Sequence, residues 1–296
     1  MSSVSVLLNV WGRDDEELLK KSLASVFRQE RKPNELVIVI DGPLPTRLRN
    51  SLATSLEKAS CPVRQEQLSR NYGLWHSRNI GISICENELI AIHDADDIMH
   101  PCRLANQVSL FEQIRPTVLG SAAYEFDIKT ETITGLRRTI TERALTLKDT
   151  WLKNPIHHSS AMISKRDLSD IGLYRPCSGA EDLELWRRLI RNGALLVNTS
   201  LILQVLSSGQ DLLSRRKMSR STFGGELKLM KAQLMSGQFS EASLAPMSFL
   251  LRGAYRSLPV RLMKPVQNRF LSEADAVKNL TLNEYLTNPV PQSAST

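Results

Sequence analysis

The sequence has few aromatic residues, no long apolar run and no paired cysteines. Phe, Trp and Tyr make up 5% of its 296 residues, too few for a binding module that works through a Tyr- and Trp-rich surface. No stretch of 18 apolar residues occurs, so no transmembrane helix is expected. Met1-Ser2-Ser3-Val4 lacks the basic and apolar regions of a signal peptide. The cysteines Cys61, Cys85, Cys102 and Cys177 are scattered, with no Cys-x-x-Cys pair. This argues against a zinc site and a disulfide framework and makes a reducing cytoplasm the default compartment. No Gly-x-Gly-x-x-Gly follows a strand, which argues against an NAD-type dehydrogenase. What remains, 42% hydrophobic and 23% charged, is an ordinary soluble composition with enough chain to bury a sizeable core in one large domain or two.

The excess positive charge is unevenly placed. Residues 201–296 carry 12 Lys and Arg against 6 Asp and Glu, whereas residues 1–200 carry 26 against 25. A basic C-terminal third suggests either a solvated helical face or contact with an anionic surface, membrane or nucleic acid.

Short apolar runs alternate with helical patterns through the first 115 residues. Strands are expected at 4–10, 35–40, 63–68 and 88–93, with helices at 15–29, 46–58, 74–83 and from Pro101 to about 114. Right-handed crossovers then give a parallel sheet covered by helices, with ligands at the carboxyl ends of the strands. Those ends carry Val10-Trp11, Asp41-Gly42 and His93-Asp94-Ala95-Asp96-Asp97. Beyond residue 117, 118–127 and 129–140 read as antiparallel strands. Further strands are expected at 160–164, 195–197 and 201–206, a helix at 180–192, and a basic helical pattern from Gln210. The tail from Pro289 reads as frayed.

Four constellations stand out. Three carboxylates within Asp94–Asp97 repel one another, a cost that a hard divalent cation offsets; a solvated turn is the plainer alternative. Glu181-Asp182 opens a helix, where acids serve either as capping groups or, raised in pKa, as a general base. Arg78 precedes the acidic strand and can neutralise a pyrophosphate or form an ordinary helix ion pair. His157-His158 cannot both face one way on a strand, so at most one enters a cleft.

These pieces, in this order, resemble the inverting family 2 glycosyltransferases of GT-A fold from bacterial surface-polysaccharide (O-antigen, capsule, exopolysaccharide) biosynthesis. The matching stretches are VSVLLNVWGRD, SLASVFRQERKPNELVIVIDGP, LSRNYGLWHSRNIGISICENELIAIHDADDIMHPCRLANQV and SSAMISKRDLSDIGLYRPCSGAEDLELWRRLIRNGA, spanning residue 4 to about 195. The resemblance implies a Rossmann-like, mostly parallel α/β sheet over 1–206, split into a nucleotide-sugar half (1–115) and an acceptor half (116–206). A basic helical region, 207–296, follows. It implies that Val10 and Trp11 pack on the base of a nucleotide, usually UDP, that Asp41 reads that base, and that Arg78, Asp94 and Asp96 serve the donor phosphates. Asn9 stands where the family has proline, and Ile40 replaces the first of two adjacent acids. Asp96, with Asp94 and Asp97, would hold Mn²⁺ or Mg²⁺. Asp182 or Glu181 would deprotonate the acceptor hydroxyl, with His158 as an acceptor contact.

The expected partners are a nucleotide-sugar donor, a glycan acceptor on undecaprenyl diphosphate and an anionic membrane surface, with no nucleic acid. The expected location is the cytoplasm, peripheral on the inner face of the cell membrane. Within 249–271, Leu251, Tyr255, Leu258 and Leu262 fall near one helical face, interleaved with Arg252, Arg256, Arg261, Lys264 and Arg269. Pro259 and Pro265 would divide the segment into short interfacial helices. A haloacid-dehalogenase-like phosphatase also uses Asp-x-Asp, but after the first strand and followed by Thr or Val. A non-catalytic scaffold with a degenerate transferase fold is the other alternative, and intact Asp96 and Asp182 speak against it.

Overall fold

Strand β1 (Val4–Trp11) has almost no polar face: Val4, Val6, Leu7, Leu8 and Val10 are all fully buried. A strand at the centre of a sheet covered on both sides requires this. β2 (Glu35–Asp41) and β4 (Leu89–Asp94) flank it, both parallel to it, and β3 (Val63–Gln67) extends the run beyond β2. The computed structural model describes residues 2–128, 130–141, 143–151, 153–208, 219–235, 239–259, 261–263, 266 and 280–293.

Alternate residues of these strands feed two cores. α1 (Glu16–Phe27), α2 (Thr46–Leu56) and α4 (Arg103–Ile114) pack on the face carrying Val6, Leu8 and Val10. α3 (Leu74–Ile84), α5 (Lys165–Ile171) and α6 (Glu181–Arg191) pack on the opposite face, against Leu7, Val37 and Ile92, with Trp186 fully buried among them. Two-residue alternation in the strands and apolar stripes on the helices explain both layers. The acids expected in the first turn of α1 are there: Asp15 caps it, accepting from the N–H groups of Glu17 and Leu18.

Past β4 the sheet turns mixed. β8 (Met162–Ser164) inserts antiparallel between β4 and β6 (Val118–Asp127). β9 (Leu196–Ser208) runs parallel to β6, and β7 (Thr132–Arg137) pairs antiparallel with β6, as the sequence suggested. The two strands expected at 195–206 are one strand, because irregular pairing with β6 around Ala122 absorbs the break in pattern. β5 (Ile98–Met99), not foreseen, is two residues held against Val205 and Gln204 of β9. Pro101 does not open α4. It sits in the preceding turn, its carbonyl taken by the N–H of Glu30, and the helix starts at Arg103.

The C-terminal region is a hairpin of α7 (Arg220–Leu234) and α8 (Phe239–Ser257), then α9 (Leu282–Thr287). The described part of the tail is not frayed. Ile202 donates to the carbonyl of Pro291, Ser293 donates to that of Ser200, and Tyr285 is buried against β6 and β9. The helical pattern at 210–218 and residues Lys264, Pro265 and Arg269 lie outside the described residues. Among the described residues no helix is long and apolar enough to cross a membrane.

Candidate active site

The strand order β2–β1–β4 lines up three carboxyl ends: Trp11 pairs with Asp41 across β1 and β2, and Asn9 pairs with Asp94 across β1 and β4. Two strand spacings of about 5 Å and a two-residue stagger put the acid of β2 and the acid of β4 roughly 12 Å apart, with the Trp11 ring beside Asp41. Trp11 is 37% exposed, with the Arg13 guanidinium 5.1 Å above its ring. Val10 beneath it is fully buried.

Asp41 is built in. Its carboxylate accepts from the N–H of Tyr72 at 2.8 Å, the N–H of Gly73 at 3.0 Å and the side-chain amide of Asn71 at 3.1 Å. It thereby fixes the loop that leads into α3. Gly42 next to it has φ +95°, and a Cβ there would stand 2.7 Å from the Asn71 nitrogen, so only glycine lets the two loops close.

α3 delivers Arg78 to the end of β4. Its side chain is buried, one terminal nitrogen meets Asp94 at 3.3 Å, and its guanidinium lies 5.5 Å from the Tyr174 ring. Its Nε has no hydrogen-bond partner among the described residues, which leaves donor capacity for an incoming anion. Asn79, the next residue, exchanges two 2.9 Å hydrogen bonds with the backbone of Tyr174 and so pins that ring beside Arg78.

The acidic loop divides its labour. Asp94 and Asp96 are half-buried at the sheet edge. Asp97 is turned inward: one oxygen accepts from the Ser207 N–H at 3.0 Å and the other from the Ser159 hydroxyl. Burial, and then the charges of Asp96 and Asp94, push its carboxyl well above the usual range. Asp97 therefore ties β4 to β9 and to the 158–160 turn. Below the loop lies Arg103, fully buried. It donates to Gln107, Gln204 and the carbonyl of Ile92, and burial lowers it to about 9.

Glu181 and Asp182 open α6, near enough to feel the charge of Arg78. Burial raises both carboxyls; Arg78 opposes the shift in each, and Asp94 adds to it at Asp182. Asp182 accepts from the Leu183 N–H at 2.8 Å and from the Asn154 amide at 2.5 Å. One guanidinium thus pairs with Asp94 and also acts on the two raised carboxyls of Glu181 and Asp182.

A family model described as "Glycosyl transferase family 2" matches residues 5–172. The chain belongs to this family. It is a glycosyltransferase. It is 29% identical over 92% of its length, and 98% of the relative's, to the "Amylovoran biosynthesis glycosyltransferase AmsE" of Erwinia amylovora. It is 25% identical over 72% of its length, and 76% of the relative's, to the "UDP-Gal:alpha-D-GlcNAc-diphosphoundecaprenol beta-1,3-galactosyltransferase" of Escherichia coli. Its fold is similar to residues 1–349 of TarS from S. aureus, solved with UDP-GlcNAc. The TM-score is 0.63 at 17% identity, over 86% of this chain and 73% of that one. The GT-A-like α/β fold expected from the sequence is thereby established.

The transferase's His158 is not on a strand but opens the 158–160 turn. It is buried between Tyr174 and Trp186, with Nε2 2.7 Å from the Tyr174 hydroxyl. Burial, then Arg78, pushes it well below the usual imidazole value, so it is neutral. His157 turns away, toward the carbonyl of Arg137. Sequence reasoning missed Tyr174, Asn154 and Ser159. Each is an ordinary residue whose importance comes from its partner, Arg78, Asp182 or Asp97, and that partner is distant in sequence.

Proposed function

We propose that this transferase moves a sugar from a nucleotide-sugar donor, with UDP as its nucleotide, to a hydroxyl of a glycan carried on undecaprenyl diphosphate, with inversion at the anomeric carbon. The observation that carries the reading is the convergence on Arg78 of the acidic loop on one side and Glu181-Asp182 on the other. The UDP-sugar and the lipid-linked acceptor in the name of the Escherichia coli relative support the choice of substrates. In this reading residues 1–115 bind the donor and 116–206 the acceptor.

Asp94 and Asp96 fit a divalent cation, Mn²⁺ or Mg²⁺. They are half-buried oxygen donors two residues apart at the carboxyl end of β4, and their charges add to burial in raising the carboxyl of Asp97. Among the described residues no group of three or more His, Cys, Asp or Glu side chains could hold a metal alone. A site completed by donor phosphates and water suits Mg²⁺-type ions. When bound, the ion would supply charge stabilisation to the departing diphosphate.

The chain's own residues do the rest. Trp11 stacks on the base and Asp41 holds the loop beside it. Arg78 offers donors to the pyrophosphate in a buried setting, where such bonds are strong. Asp182 takes the acceptor proton as the acceptor oxygen attacks from the opposite face, and Asn154 holds that carboxyl in place. No covalent sugar intermediate is required.

A thermal-shift series of UDP, GDP, dTDP and CDP, each with Mn²⁺, tests the donor assignment. UDP is expected to give the largest stabilisation, as a ligand of the native state alone must. A larger shift with another nucleotide would overturn UDP.

We also place the protein peripherally on the inner face of the cell membrane, at the α7–α8 hairpin. Met247, Leu250 and Leu251 stand exposed at helical spacing on α8, with Phe223 exposed on α7. Two of the basic residues first assigned to the membrane are spent inside the protein: Arg252 and Arg256 pair with buried Glu226. Apolar insertion therefore carries more of the binding than charge does. The full chain is expected to sediment with anionic vesicles at low salt, and Leu250→Asp to weaken this strongly. Wild-type protein left in the supernatant would remove the membrane assignment.

A further inference from the structure

We infer that the α7–α8 hairpin is a clamp on the two loops that present Asp182, and that Arg256 is a positioning residue for that carboxyl. This rests on the reading of Asp182 as the base. The inner face of the hairpin is polar and buried, unlike its outer face. Glu226, fully buried on α7, sits between Arg252 at 2.8 Å and Arg256 at 3.2 Å, both on α8. One carboxylate between two guanidiniums leaves a surplus of donors, and a buried surplus must find acceptors.

Arg252 Nη1 and Arg256 find theirs on two loops, while Arg252 Nη2 has no hydrogen-bond partner among the described residues. Arg252 donates to the carbonyl of Trp151 at 2.8 Å, where Ser248 also donates at 2.5 Å. That segment leads to Asn154, which holds Asp182. Arg256 donates at 2.5 Å to the carbonyl of Gly179, two residues before Glu181. The same stretch is held from α7: Cys177 donates through its thiol to the carbonyl of Gly225, and Lys228 donates to that of Pro176 at 3.0 Å.

The contact is too close for a side chain. A Cβ on Gly225 would lie 2.1 Å from the Ser178 carbonyl oxygen and 2.7 Å from its nitrogen, both backbone atoms that cannot swing aside. The hairpin thus touches every loop that orients Asp182, and its outer face carries the exposed Phe223, Met247, Leu250 and Leu251.

Two variants of the full chain test this from opposite sides. Arg256→Gln removes the bond to Gly179 while leaving Glu226 paired with Arg252, so no buried charge is stranded. Gly225→Ala forces α7 off Ser178 although alanine is the better helix former, so the helix itself gains. The readouts are hydrogen exchange of peptides covering 177–185, calorimetric UDP binding with Mn²⁺, and transfer turnover with a UDP-sugar that the wild-type chain uses.

Faster exchange across 177–185 is expected in both variants. Turnover should fall roughly 10- to 100-fold, the scale of an ångström-sized misplacement, with UDP affinity and stoichiometry unchanged. Preserved stoichiometry excludes a mere loss of folded protein. Unchanged exchange in that segment overturns the proposal, and so does faster exchange with wild-type turnover. An active Asp182→Asn measured alongside would remove the base assignment instead, while the exchange result still judges the clamp.

Discussion

Asp96→Asn is expected to lower transfer on the order of 10²- to 10³-fold, the usual cost of losing one preorganised group that stabilises developing charge. Asp94 is already committed to Arg78 at 3.3 Å, and Asp97 is turned inward onto Ser159 and Ser207. Asp96, half-buried just past the carboxyl end of β4, is the carboxylate proposed to meet the cation. The fold should survive the change. The contact that Asp96 makes with Ser207 uses its backbone carbonyl, which the substitution keeps. Its negative charge also raises the buried Asp97 carboxyl, so removing it relieves repulsion. The expected result is an unchanged or higher Tm with turnover lost at all Mn²⁺ concentrations. Near-normal turnover would remove the metal assignment from this residue.

Asp182→Asn is expected to cost roughly 10²- to 10⁴-fold in kcat, the span of general-base contributions. The affinity for UDP should stay as it is, because the base acts on the acceptor and not on the donor. The new side-chain amide can still accept from the Leu183 N–H, and its oxygen-to-nitrogen change costs at most the bond from Asn154, whose own oxygen stays on the Ile156 N–H. The same carboxyl sets a pH dependence. Burial raises it, with Asp94 adding to the shift and Arg78 opposing it. A base must be ionised, so kcat falls as pH is lowered through the raised value. The acid limb of the kcat profile should therefore lie above the 3.8 of an ordinary aspartate. Full activity retained down to pH 4 would contradict this. An inactive Glu181→Gln beside an active Asp182→Asn would move the role to Glu181, which burial also raises.

The first four strands and their helices were legible because each announces itself locally. A strand buried on both faces reads as a mainly apolar run, as Val4–Val10 and Leu36–Ile40 do, and a helix reads as a period of 3.6. Asp41 and Asp94 could be singled out because each ends such a strand, and Arg78 because it lies on the helix that leads into β4. Glu181 and Asp182 were legible as acids opening a helix, and the resemblance to family 2 glycosyltransferases favoured a base over a cap.

The meeting of these groups was not legible. β5 and β8 are two and three residues long, too short to carry a period, and exist only because β9, β4 and β6 offer them backbone partners. The insertion of β8 between β4 and β6 helps bring the 158–160 turn and Tyr174 to the end of β4, and so sets His158, Ser159 and Tyr174 around Arg78 and Asp97. The basic character of the C-terminal third was read correctly as charge but not as position. Glu226, one carboxylate in a basic segment, draws Arg252 and Arg256 inward, and the chain from Leu282 returns to cover β9. Local periodicity declares which residues form an element and which face is apolar. Which distant carbonyl or carboxylate a buried guanidinium must find depends on packing, because a desolvated charge takes whatever partner the closed structure brings to it.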